Sequence, residues 1–134
     1  MSQRWPTIVI KGTELEKWYR EGRYHPWSLD EAVEVCGQSC VRLEESGIAV
    51  IRIGLMSSPS LLRDGQIVAG PWHRAFGFLV RSAIHQAKVA PCLPIRGEVS
   101  RIRLRVPPRE IPLVRGYKNQ GLRLIEEETG ATVT

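Results

Sequence analysis

Thr7, Ile8, Val9 and Ile10 follow one another without a polar position between them. A strand built from them has no face for water and needs cover on both sides, as in a parallel sheet. The strand reading extends over residues 6–13 and runs directly into a helix. The next candidate strand, residues 48–53, arrives only after two helices, so the order strand, helix, helix, strand predicts a right-handed crossover unit. Two parallel strands alone make a marginal sheet. Ile8 and Val50 therefore call for neighbouring strands, and the chain reads as though it opens in mid-fold, with Met1 as a candidate internal boundary.

The helix signals are specific. Thr13 and Glu16 have capping-box spacing, opening a helix that runs to about Glu21 and stops at Gly22. Pro26 holds the turn after it. Ser28 and Glu31 form a second box, after which Leu29, Val33, Cys36, Cys40 and Leu43 fall on one stripe, with Gly47 where a C-cap is wanted. Residues 56–70 read as a loop with a turn at Asp64 and Gly65. Gly70 and Pro71 fit a helix start, and Phe76, Leu79, Val80, Ala83 and Ile84 form the apolar side of a helix from Trp72 to about Val89. Pro91 and Pro94 close it. The linker at residues 91–97 divides the chain into 1–92 and 93–134. In residues 99–106, Val99, Arg101, Arg103 and Arg105 alternate with Ser100, Ile102, Leu104 and Val106, predicting a strand with one arginine face and one apolar face. A short helix over 109–115, a helix after Asn119 running to Thr129 and capped by Gly130, and a final strand at 131–134 complete an α/β reading.

A chain of 134 residues has the length of one domain. No apolar run approaches the roughly 20 residues of a membrane span, and no secretory hydrophobic core opens the chain. Three cysteines at irregular spacing argue against a disulfide framework, so the cytoplasm is the expected compartment. The net charge of +5 is unevenly placed: residues 1–70 hold 8 Lys/Arg against 9 Asp/Glu, and residues 71–134 hold 11 against 5. That asymmetry points to a polyanionic partner for the second half, or to a solvated basic surface.

Several residues invite chemistry. Arg52 interrupts an apolar strand, where a charge must be paired or face a cleft. Arg23 and Tyr24 stand on a turn, suited to an anionic or aromatic ligand and equally to packing that turn. Trp72 and His73 come just after the expected helix start, where free N–H groups could receive an anion and His73 could relay a proton or serve as a structural hydrogen-bonder. No nucleophile–base pair, carboxylate dyad or metal-ligand cluster is legible. Cys36 and Cys40 lie on the apolar stripe and read as small core hydrophobes, with Leu43 where a third thiol would be needed.

Four blocks carry a resemblance. The segment opening Val9-Ile-Lys-Gly-Thr-Glu-Leu-Glu-Lys-Trp-Tyr-Arg20 and continuing to Cys36, then Val50-Ile-Arg-Ile-Gly-Leu55, Ala69-Gly-Pro-Trp-His-Arg-Ala-Phe76 and Val114-Arg-Gly-Tyr-Lys-Asn119, is similar to the C-terminal region of radical S-adenosylmethionine (radical SAM) proteins related to the Elongator catalytic subunit. The resemblance implies the closing strands and helices of a partial (β/α) barrel. It also implies a [4Fe–4S] cluster and S-adenosylmethionine bound by a CxxxCxxC loop that this sequence lacks, so the chain itself is expected to hold neither and to partner the N-terminal half barrel. It places Lys11, Gly12 and Thr13 toward the cofactor; Arg52 is a further cofactor-binding candidate, and Arg23, Tyr24, Trp72 and His73 are the candidate substrate-binding residues. For Lys11 to Thr13 the competing role is a plain strand-to-helix turn.

The segment Gly116-Tyr-Lys-Asn-Gln-Gly-Leu-Arg-Leu-Ile-Glu-Glu-Glu-Thr-Gly-Ala131 looks like the core of a KH module, in which a GxxG loop clamps a single-stranded backbone. This implies a small β-α-α-β extension. Asn119 replaces the second glycine, narrowing the approach while tolerating a left-handed backbone. Arg101, Arg103, Arg105, Arg115, Gly116, Lys118, Asn119 and Arg123 are the expected RNA-binding set, a tRNA being one candidate. Their alternative role is pairing with acidic groups of another part of a larger enzyme. The sequence thus supports two functions: the C-terminal portion of a radical SAM enzyme, inactive alone, or a free-standing basic RNA-binding adaptor without catalysis.

Overall fold

The computed structural model describes residues 2–4, 6–54 and 59–134, with the Gln3 side chain set aside. The chain forms two compact units, Met1–Gly77 and Phe78–Thr134. The first unit carries β1 (Ser2–Arg4), β2 (Val9–Ile10), α1 (Glu14–Arg20), α2 (Leu29–Glu45), β3 (Val50–Ile53), β4 (Ile67–Ala69) and the start of α3 (Phe76–Val89). The structure confirms mixed helix and strand content. The strand pairing departs from expectation.

β3 pairs in parallel with β1, not with the Ile8 strand, in the register Ser2↔Val50, Gln3↔Arg52 and Arg4↔Ile53. The crossover of two helices between parallel strands is therefore present but starts at Ser2. β2 instead pairs antiparallel with β4, Val9↔Ala69 and Ile10↔Ile67, inside the stretch expected to be loop. Residues 55–58, at that loop's start, lie outside the described residues. Val9 is fully buried and Ile8 nearly so, joined in the core by Ala32, Cys36, Cys40 and Phe76. The apolar run is thus covered as its composition demands, by a different neighbour.

The reason is local. Gly70 has φ +115°, and a Cβ there would stand 2.8 Å from the Ile8 Cα and 3.1 Å from the Thr7 carbonyl oxygen. The bare backbone of Gly70 lets the β4 exit press against β2. The Gly70–Pro71 pair serves that crossing rather than a helix start, and α3 begins at Phe76, four residues later than Trp72. The amide of Trp72 is already bonded to the Gly70 carbonyl at 2.9 Å.

The helix caps agree with the sequence signals. Ser28 and Glu31 form a reciprocal capping box. Thr13 accepts the Glu16 amide, but the Glu16 carboxylate returns to the Gly12 amide instead of the cap residue. Glu44 and Leu43 carbonyls accept the amides of Gly47 and Ile48, closing α2.

The second unit holds most of α3, β5 (Arg101–Ile102), α4 (Ile111–Arg115), α5 (Gln120–Thr129) and β6 (Thr132–Val133). β5 and β6 run parallel. Bonds from Thr132 to the Ser100 carbonyl, Thr134 to Ile102 and Leu104 to Thr134 carry the ladder on to residues 100–104, shorter than the predicted 99–106. Val80, Val114, Ile125 and Ala131 form the core. Buried Thr129 donates to the Ile125 carbonyl at 2.7 Å and accepts the Ala131 amide at 3.3 Å, so its hydroxyl is satisfied.

Gly70→Ala combines a positive φ with a backbone clash, whereas Gly12, φ +82°, has open space around it. Urea unfolding of the full chain should show Gly70→Ala destabilising by about 2–3 kcal/mol, against about 1 kcal/mol for Gly12→Ala. Equal costs would contradict the close β4–β2 approach.

Candidate functional site

At the carboxyl end of β2 the hydrogen bonds of the turn are nearly all used locally. The Lys11 amide donates to the Gln66 carbonyl at 2.8 Å. Thr13 Oγ1 donates to the Ile10 carbonyl at 2.6 Å and accepts the Glu16 amide at 3.2 Å. Glu16 accepts the Gly12 amide at 3.2 Å and the Arg20 guanidinium at 3.1 Å. The Gly12 amide, ahead of Arg20 and Lys11, holds the Glu16 carboxyl below its ordinary value despite some desolvation. What this turn leaves for a ligand is the exposed Lys11 side chain and the open face over Gly12.

Arg52 does not sit inside a buried strand. β3 is half open, with Ile51 55% exposed and Arg52 itself exposed, so the desolvation argument for a paired or cleft-facing charge does not hold. Arg23 packs its own turn: the guanidinium lies 5.3 Å from the Trp18 ring centroid and 3.4 Å from the Glu21 carboxylate. Tyr24 and Trp72 are half-buried. His73 Nδ1 accepts the Ala75 amide at 2.9 Å, which places the ring proton of the neutral form on Nε2. Because α3 starts at Phe76, residues 70–73 do not present a helix N-terminus to an anion.

Both thiols of the first unit, Cys36 and Cys40, are buried in its core. Burial, together with neighbouring Cys40, pushes the Cys36 thiol up, against the pull of the Arg4 guanidinium. Cys92 is exposed on a short turn in the second unit. Among the described residues no group of three His, Cys, Asp or Glu side chains could hold a metal ion. Two buried core thiols on one helix and one exposed thiol far along the chain do not make the three-thiolate set a [4Fe–4S] cluster needs. Arg4 Nε gave no signal in the sequence: it is buried and, among the described residues, lacks a hydrogen-bond acceptor.

The second unit is different in kind. Its residues hold ten Lys/Arg against five Asp/Glu, whereas the first unit holds nine of each, so the whole net charge of +5 resides in residues 78–134. Arg101, Arg103 and Arg105 are exposed while Ile102, Leu104 and Val106 are half-buried. This is the predicted alternation, with the backbone positions of successive arginines about 7 Å apart along the chain. Among the described residues, none of Arg101, Arg103, Arg105, Arg115 or Arg123 forms an ion pair. A groove of ≈ 420 Å³ lies against this row, with Arg103, Arg105 and Arg115 on it and Leu104, Ile111 and Leu122 among its apolar lining. Charge on an edge strand also resists unwanted strand pairing, so the row has a structural consequence besides any ligand.

The loop Gly116 to Asn119 joins α4 to α5. Lys118 and Asn119 both adopt positive φ, 52° and 62°, as the tolerance of asparagine for the left-handed region anticipates. The Lys118 ammonium lies 5.5 Å from the ring centroid of its neighbour Tyr117. Sequence reading missed Gly121, Ser82 and Gln86, which shape this loop. A glycine one residue inside a helix was the available signal, since it costs about 1 kcal/mol unless packing requires it.

Residues 4–86, more than half of the chain, match the family described as the Radical_SAM C-terminal domain. No curated protein and no solved structure matches.

The depressed Glu16 carboxyl sets a pH signature. Its bonds to Gly12 and Arg20 stabilise the fold above the ordinary glutamate range and are lost as pH falls through the lowered folded-state value. Glu16→Gln should therefore lower Tm at neutral pH, and the difference from wild type should vanish in acid. A Tm gap independent of pH would assign the effect to the helix cap alone.

Proposed function

The chain belongs to the radical SAM C-terminal domain family, and from that premise we propose that it works as the C-terminal portion of a radical SAM enzyme whose basic second unit contacts RNA. Family membership implies S-adenosylmethionine and a [4Fe–4S] cluster in the whole enzyme. Since the thiols here do not suit the cluster, its ligands belong to another part of that enzyme.

The first unit is assigned to the closing part of a partial barrel. Supporting this, β1 and β3 form only a two-stranded parallel sheet among the described residues, and Ile51 on β3 is 55% exposed. Parallel strands are normally covered and flanked, so the N-terminal half barrel is the partner this sheet suits. Lys11 and Arg52 are exposed cations, available to anionic groups of cofactor or substrate. Arg23, Tyr24, Trp72 and His73 then act mainly by shaping the walls, since Arg23 and His73 already bond within their own turns.

The observation that carries the RNA reading is the concentration of charge. All of the net +5 lies in the second unit, where Arg101, Arg103, Arg105, Arg115 and Arg123 form no ion pair among the described residues. The element order β5, α4, α5, β6 with its left-handed turn at Asn119 suits a KH-like extension. Aromatic side chains for base stacking are scarce, Tyr117 being the one in the loop. Phosphate contact, with its salt-dependent and sequence-tolerant affinity, is the mode such a surface favours.

Binding of the full chain to a tRNA transcript, measured over a range of salt, tests the reading. The expected result is an affinity that falls steeply with salt. Arg101→Glu with Arg103→Glu should weaken it by about tenfold or more and flatten the log–log salt slope by about 2. No measurable binding, or binding indifferent to both substitutions, would favour protein carboxylates as the partners of these arginines.

A further inference from the structure

The loop Gly116 to Asn119 is carried between helices that cross almost in contact. A Cβ on Gly121 would overlap the Val114 carbonyl oxygen and Gln86 Nε2. One on Gly116 would stand 2.7 Å from the Gly121 amide nitrogen and 3.2 Å from Ser82 Oγ. The last carbonyls of α4, a helix of five residues, have no partners within it. Two of them are met from α3: Ser82 Oγ donates to the Leu113 carbonyl at 2.7 Å, and Gln86 Nε2 donates to the Val114 carbonyl at 2.7 Å. Ser82 is buried, and the two donors stand one helical turn apart, on one face of α3.

We infer that Ser82 and Gln86 are positioning residues for the basic loop. By holding the end of α4 they fix where α5 can cross it. That crossing sets the left-handed turn at Lys118 and Asn119 and the direction in which Arg115 and Lys118 offer their charges. The support comes from inside the family-matched segment, which ends at residue 86, while the loop lies beyond it. Contact of an anion with the loop is therefore felt on the last helix of the matched domain. The functional half of this inference rests on the RNA reading above; the structural half stands without it.

Removing one donor leaves a half-buried carbonyl unsatisfied, a change worth about threefold to tenfold in a local opening equilibrium. The test uses the full chain with Gln86→Met, which keeps length and removes the donor, and Ser82→Ala as the smaller perturbation. Amide hydrogen exchange at residues 116–121 should quicken about threefold to tenfold in both variants, with α2 amides unchanged. Toward a tRNA transcript, Gln86→Met should weaken binding, and Lys118→Ala should cost less affinity in the Gln86→Met background than in wild type. Unchanged exchange at 116–121 in both variants overturns the clamp. A quickened loop with the same Lys118→Ala cost in both backgrounds overturns its role in aiming Lys118. A loop that quickens in the variants, in a protein whose wild type binds no tRNA, sinks the RNA reading and leaves the clamp standing.

Discussion

Backbone pressed against backbone is the constraint on which both units depend. In the first, Gly70 lies so close to Ile8 that a methyl group has no room. In the second, Gly121 lies against the Val114 carbonyl in the same way. Each contact is permitted by the absence of a side chain, and each fixes the path of the neighbouring chain. The Gly70 approach joins β4 to β2 and delays α3 to Phe76. The Gly121 approach crosses α5 over α4 and shapes the loop that carries Lys118.

Several polar groups of the first unit are committed to local partners. Thr13, Glu16 and Arg20 close the β2–α1 turn, Arg23 covers Trp18, and His73 accepts the Ala75 amide. Among the described residues, Arg101, Arg103, Arg105 and Arg115 of the second unit form no ion pair, and Lys118 lies over the Tyr117 ring. Arg96 donates to the Glu127 carbonyl near the end of α5. The contrast lies in the carboxylates rather than in the cations, because both units hold nearly the same number of basic residues. They differ in how many carboxylates oppose them.

The helices were largely legible because their signals are local. The Ser28–Glu31 box, the stripe through Cys36 and Cys40 and the cap near Gly47 need no distant contact to be read. The arginine alternation after Val99 was legible for the same reason. Strand partners were not, since strands of two to four residues take their neighbours and register from tertiary packing. Val9 shows the limit: its burial could be read from composition, but its antiparallel partner Ala69 lay in a stretch with no strand signal. The exposure of Arg52 was not legible, because Val50, Ile51 and Ile53 around it read as a buried strand. Ser82 and Gln86 carried no motif, and their role emerges only once α4 is folded against α3.

The central claim is that this chain acts as part of a radical SAM enzyme. The most direct test is the mass and iron content of the polypeptide that carries this sequence in its source cells. The account predicts a protein substantially larger than 15.1 kDa that carries iron in a [4Fe–4S] cluster. A native species of 15.1 kDa without iron would contradict it and leave the basic face as a free-standing RNA-binding surface.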